Sequence, residues 1–191
     1  MRFLLNLFAM VVVALAVGFG LSWYALTDGR LFGAHQVGPW VAWPQAGAPS
    51  PDPYTRAFLA RNGALQLGQT EGLQFVAERD SDGAALTRNC TYRIDGTTPL
   101  ATFWTLVATA PDGVNIARAG GPDGFQSQRI ARAPDGALEL YVGETLRPRN
   151  WLELTGQGAF TLVLNLYDTA IFSGVSSNAT TLPAIIKEGC A

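Results

Sequence analysis

Between Phe3 and Leu26 the chain reads FLLNLFAMVVVALAVGFGLSWYAL, without one charged side chain. About 20 residues at roughly 1.5 Å rise are enough for a helix to cross a hydrocarbon core of about 30 Å. The run is therefore predicted to be a transmembrane helix, and it decides which compartment the rest of the chain enters. Ala14-Leu15-Ala16 offers the small-x-small pattern of a cleaved signal, which is the alternative. Cleavage there would leave Val17 to Leu26 as an exposed apolar end. Trp23 and Tyr24 suit a membrane interface instead, so an uncleaved anchor over residues 1–26 is the expectation. Arg2 inside, against Asp28 and Arg30 outside, gives a thin charge asymmetry for an outward-facing domain.

The rest of the chain is of a size for one domain. The 191-residue chain carries 13 Lys and Arg against 15 Asp and Glu, a formal net charge of −2. No concentrated basic patch is available to displace counterions from phosphates, so nucleic-acid binding is excluded as a function class. Cys90 and Cys190 both lie downstream of the apolar run. In an oxidising compartment they are expected to form a disulfide, closing a long loop and stapling the C-terminus.

Residues 27–52 mix Gly, Pro, Ala and Ser with Trp40 and Trp43. They read as an extended linker whose indoles dock on the domain edge. Asp52-Pro53 supplies an N-cap and a first helical residue, and Asn62-Gly63 an end, so a short helix is predicted between them. From Gly63 the periodicity changes. Leu73, Phe75 and Ala77 alternate with polar positions, as do Cys90, Tyr92 and Ile94, and Leu138, Leu140 and Val142. These are strand patterns. Ala101 to Ala108 reads as a central strand, Ala159 to Tyr167 as the longest with Phe160, Leu162, Leu164 and Leu166 inward, and Ala184 to Lys187 as the last. Pro-Asp-Gly recurs at 111–113, 122–124 and 134–136, as turns between successive antiparallel strands would require. Residues 53–191 are accordingly predicted to be an all-β domain, a jelly-roll-like antiparallel β-sandwich with one short helix, preceded by the N-terminal transmembrane helix.

The residues that carry chemistry are few. His35 is the only histidine, which leaves almost nothing for a His-based dyad or a multi-His metal site. No metal site and no cofactor are expected. Asp80-x-Asp82-Gly83 resembles the start of a calcium loop but lacks the later acidic ligands, so a turn is the simpler reading. Glu139, Glu144, Glu153 and Asp168 lie near strand ends and are the candidates for a carboxylate pair that hydrolyses a glycan or ester. Arg147, Arg149, Asn150 and Trp151 form a denser polar and aromatic group, suited to an anionic or sugar ligand. The plainer alternative is a loop in which Trp151 plugs the core and Asn150 bonds to backbone. Asn178-Ala179-Thr180 matches a glycosylation pattern that recurs by chance.

The order Asp52-Pro53-Tyr54-Thr55-Arg56-Ala57, Cys90-Thr91-Tyr92-Arg93-Ile94, Phe103-Trp104-Thr105, Asn150-Trp151-Leu152, Leu166-Tyr167 and Gly189-Cys190 resembles the bacterial "domain of unknown function 1214" family, in particular its short membrane-anchored exported members. The resemblance implies a jelly-roll-like sandwich and an envelope location. The family often has Trp-Ser, Asn-Trp-Leu-Pro and Arg-Leu-Tyr where this chain has Trp104-Thr105, Asn150-Trp151-Leu152-Glu153 and Asn165-Leu166-Tyr167, and no catalytic set carries across. The expected protein is held in the bacterial inner membrane by residues 3–26, with its domain in the periplasm. There it is expected to be a non-catalytic module for a glycan, lipid or protein partner, with a carboxylate-dependent envelope hydrolase as the alternative.

Overall fold

A computed structural model describes residues 2–28, 33–62, 67, 71–134, 136–169 and 181–190. Arg30, Gly63 and the Asn178 motif lie outside them. The apolar run forms helix α1, Arg2–Asp28. From Arg2 to Ala25 it is long and apolar enough to cross a membrane, and none of its most apolar stretch is buried by the rest of the chain. A helix that is apolar all round needs an apolar surrounding. An N-terminal signal sequence can pass the same test of length and composition.

Helix α2, Pro53–Asn62, starts where the cap chemistry places it. Asp52 Oδ1 accepts from the backbone N–H groups of Tyr54 and Thr55, both at 3.0 Å, and its Oδ2 accepts from the Thr55 hydroxyl. Two N–H groups that a helix start leaves without intrahelical partners are thereby paired. Phe58 of α2 stacks on Trp43 with ring centroids 4.8 Å apart, and the Arg61 guanidinium lies 4.9 Å above the Trp23 ring of α1. The short helix thus bridges α1 and the β-domain.

The domain is a two-layer, mainly β structure, as the alternation predicts. The strands are β1 His35–Val37, β2 Trp40–Ala42, β3 Gly72–Ala77, β4 Cys90–Gly96, β5 Ala101–Thr109, β6 Phe125–Gln126, β7 Leu138–Gly143, β8 Asn150–Glu153, β9 Thr161–Thr169 and β10 Ala184–Cys190. One sheet has the order β1-β2-β3-β9-β5-β6 and the other β10-β4-β7-β8. Phe75, Leu106, Leu162 and Leu164 of the first layer and Tyr92, Ile94, Leu140 and Leu152 of the second are buried in one core. Burying such a side chain contributes roughly 1.5–3 kcal/mol. Tyr92 meets Phe160 edge-on at 5.7 Å, and its hydroxyl accepts from the Thr87 N–H at 3.0 Å, so its polar end is satisfied.

Three features differ from the expected pattern. The 27–52 segment supplies strands: Val41 and Ala42 of β2 pair with Val76 and Phe75 of β3. Trp40 is fully buried, and its indole N–H donates to Pro183 O at 2.8 Å. Second, β7 and β8 pair in parallel, with Leu140 opposite Asn150 and Gly143 opposite Glu153. Parallel neighbours ordinarily need a long crossover, but β8 is short enough for residues 144–149 to turn back through Arg149, whose φ is +68°. Third, the Pro-Asp-Gly stretches are not equivalent. Gly113 and Gly136 close turns onto Ala110 O and Ala133 O, whereas 122–124 leads straight into β6.

Cys90 and Cys190 are bonded and stand opposite each other in the β4–β10 ladder. The buried Asp80 accepts from the N–H groups of Asp82 and Ala84 through Oδ1, at 3.1 and 2.8 Å. It serves as a turn acceptor. Among the described residues no group of three or more His, Cys, Asp and Glu is placed to hold a metal.

Candidate ligand-binding cleft

The side of the domain that carries β6 and β8 opens into a cleft of about 600 Å³. Its walls are Thr105 and Val107 of β5, residues 121–126, Arg129, and Arg149, Asn150 and Trp151 at the start of β8. The 121–126 wall is pressed on β5. A Cβ at Gly124 would lie 2.6 Å from Leu106 O and 2.7 Å from Val107 Cγ1, so only glycine permits this approach. Buried Phe125 anchors the segment, and Ser127 donates its N–H to Trp104 O at 3.0 Å. Asn115 Nδ2 donates to Asp123 O at 2.8 Å, fixing the outer turn.

Asn150 is the organiser of the opposite wall. Its Oδ1 accepts from Ala131 N at 2.8 Å, and its Nδ2 donates to Ala131 O at 2.7 Å and to Glu139 O at 3.0 Å. One buried amide thereby ties the segment following Arg129 to β7 and β8. Its polar capacity goes into backbone, as the plainer alternative has it, so its role in the cleft is to position. Trp151 is half-buried and donates its indole N–H to Gly143 O at 3.1 Å, which fixes the ring as a cleft wall.

The structure brings Arg149, Asn150 and Trp151 together and leaves Arg147 out. The Arg147 guanidinium lies 5.9 Å above the Tyr141 ring, and its Nε is buried without a hydrogen-bond partner among the described residues. Arg129, Asp123, Gln126 and Thr105 complete the lining, and sequence reasoning missed them. Arg129 is separated from Arg149 along the chain, and only the pairing of Asn150 with Ala131 makes them neighbours. The one local signal was the Pro-Asp-Gly at 122–124, which reads as an ordinary turn.

The cleft lining carries two guanidinium groups and one carboxylate, that of Asp123. Arg149 Nη1 reaches Glu139 Oε2 at 3.4 Å, with the Arg149 side chain 55% exposed. An exposed pair of this kind contributes about 0–1 kcal/mol, so little holds Arg149 away from an anion. Glu139 keeps a second partner, accepting from the Tyr141 hydroxyl at 2.7 Å. That bond, followed by burial, raises the Tyr141 pKa above 10.0.

The sequence-predicted carboxylates do not form a pair in the cleft. Glu153 accepts from Arg118 Nη1 through both oxygens at 2.9 Å, and Asp168 accepts from the Thr102 hydroxyl at 2.7 Å. Glu144 is exposed, and none of Glu139, Glu144, Glu153 or Asp168 lines the cleft. A two-carboxylate hydrolysis needs two acids facing one substrate, and the lining offers Asp123 alone.

The family profile DUF1214, "Protein of unknown function (DUF1214)", matches residues 71–171, which hold β3 to β9 and every residue lining the cleft. The chain belongs to the DUF1214 family. The crystal structure of the VPA0106 protein from Vibrio parahaemolyticus is similar at 20% identity and a TM-score of 0.56, covering 72% of this chain and 35% of that one. It shares the fold with this DUF1214 member. A putative uncharacterized protein from Burkholderia cenocepacia aligns over 92% of this chain and 51% of its own at 16% identity and a TM-score of 0.44. This DUF1214 chain thus spans about a third and about half of these two proteins. No functionally curated protein matches it.

Proposed function

We propose that this DUF1214 protein is a non-catalytic envelope module that binds an acidic sugar in the cleft between β6 and β8. In this reading α1 is an uncleaved anchor in the bacterial inner membrane and the β-domain faces the periplasm. The Cys90–Cys190 bond supports an outward domain, because such bonds persist in oxidising compartments.

The observation that carries the ligand class is that Arg129, Arg149 and Trp151 line one cleft. A guanidinium offers a planar fork to a carboxylate or phosphate, and an indole offers an apolar face to a sugar ring. The hydrolase alternative is disfavoured because Asp123 is the one carboxylate in the lining.

The test is isothermal titration with disaccharides oxidised at the reducing end to a carboxylate, against their neutral parents. Arg149→Gly is the companion variant, since glycine tolerates a φ of +68° and the substitution removes the side chain, guanidinium included, without straining the backbone. The acidic form is expected to bind at least tenfold more tightly, and Arg149→Gly to remove that preference with the melting temperature retained. Equal affinity for both forms, or none for either, would refute the reading.

A further inference from the structure

The cleft does not end at Thr105 and Gln126. Those two residues are register partners on β5 and β6, and the same transverse row continues inward. Thr105 is opposite Asn165 of β9, and Asn165 is opposite Gln74 of β3. The row is hydrogen-bonded in one direction: Gln74 Nε2 donates to Asn165 Oδ1 at 2.9 Å, and Asn165 Nδ2 donates to Thr105 Oγ1 at 3.3 Å. Each amide has two donors and a two-lone-pair acceptor, and the hydroxyl has its own proton. These bonds therefore orient the side chains and leave donors and acceptors to spare.

Rows on either side set the character of the face. One is Val76, Val163 and Val107, in register across the same strands. The other contains Tyr167 and Phe103, whose rings lie 5.6 Å apart. All of these positions alternate with core residues, so they lie on the outward face of the six-stranded sheet. None of them is charged. A solvated sheet face usually carries charges of both signs. A neutral band of amides and hydroxyls bordered by aliphatic and aromatic side chains complements a pyranose, which carries equatorial hydroxyls at its edge and C–H groups on its face.

We infer that the six-stranded sheet extends the cleft into a track for a linear oligosaccharide, its acidic sugar seated at Arg129 and Arg149 and its neutral sugars lying over Thr105, Asn165 and Gln74. The rise per sugar of an extended 1,4-linked chain is close to the inter-strand spacing of about 4.8 Å, so each strand can serve one sugar. From Gln126 to Gln74 the row crosses three such intervals, about 14 Å. The charge distribution matches a chain that is acidic at one end, because the cations stand in the cleft and the track has none. This inference rests on the acidic-sugar reading of the cleft and adds the length and direction of the ligand.

The test uses 1,4-linked oligomers of glucose, galactose and N-acetylglucosamine, two and six sugars long, each oxidised at the reducing end. They are titrated into the disulfide-bonded full chain, with Gln74→Ala and Asn165→Ala as variants whose melting is checked in parallel. In at least one series the six-sugar oligomer is expected to bind tenfold or more tighter than the two-sugar one. Gln74→Ala, the outermost and most readily tolerated change, is expected to lose most of that gain while leaving two-sugar binding intact. Equal affinity at both lengths, or length dependence untouched by both variants, overturns the track and leaves the cleft reading standing. Absence of binding by every acidic oligomer overturns both. An extended polar peptide that binds with the same sensitivity to Gln74→Ala overturns the sugar assignment.

Discussion

The indole N–H of Trp40 donates to the carbonyl of Pro183 at 2.8 Å, joining β2 of one sheet to the residue that precedes β10 of the other. Both residues are buried. Trp40→Phe keeps a large apolar ring and removes the donor, so Pro183 O is left unpaired at a cost of about 1–3 kcal/mol. Urea unfolding of the two proteins checks this, with a lower midpoint and an unchanged slope expected.

The Cys90–Cys190 bond closes a loop with a sequence separation of 100. The chain-entropy model gives about 4.7 kcal/mol for a loop of that length, and losses of 2–5 kcal/mol are typical. Replacing both cysteines by alanine is expected to lower stability within that range. Hydrogen exchange should rise first along β10, whose tether to β4 has been cut.

Asp52 gives a pH signature. Its pKa lies below the ordinary value of 3.8, chiefly through the hydrogen bond from the Thr55 hydroxyl and then through the Thr55 N–H. A carboxylate held down in the folded state contributes stability that is present above the unfolded pKa and lost as pH falls through the folded one. Asp52→Ala is therefore expected to cost about 0.5–2 kcal/mol at neutral pH. The difference from wild type should shrink only once pH drops below 3.8. Helical circular dichroism combined with thermal melts at stepped pH reads both quantities.

Neighbouring residues in the cleft should separate stability from binding. Asn150→Ala removes three backbone hydrogen bonds from a buried site and is expected to destabilise by roughly 2–4 kcal/mol. Arg149→Gly relieves a left-handed backbone and is expected to leave stability unchanged or up to about 1 kcal/mol higher. Chemical denaturation of both variants provides the comparison.

The residues that announced their structure carry local physics. Asp52 and Pro53 specify a helix start by capping alone, and the inward set Phe160, Leu162, Leu164 and Leu166 is readable because alternation is a property of the strand itself. The strands at Trp40 and His35 were not readable, since three-residue strands among prolines and glycines have no period to detect, and the pairing of β2 with β3, on which β1 then builds, is a tertiary event. The cleft divides the same way. Arg149, Asn150 and Trp151 stand together in sequence and could be picked as a group. Arg129 and Gln126 join them only because Asn150 holds Ala131 and because Gly124 lets its segment lie on β5.

The bridge made by α2 has a geometric consequence. Trp43, stacked on Phe58, immediately follows β2, and Arg61 rests on Trp23 near the end of α1. The side of the domain nearest α1 is then the β1–β2 margin, while β6 closes the opposite margin. Five inter-strand steps of about 4.8 Å separate the two, so the sheet holds its margins up to about 24 Å apart. The strand order therefore sets how far the cleft can stand from the end of α1.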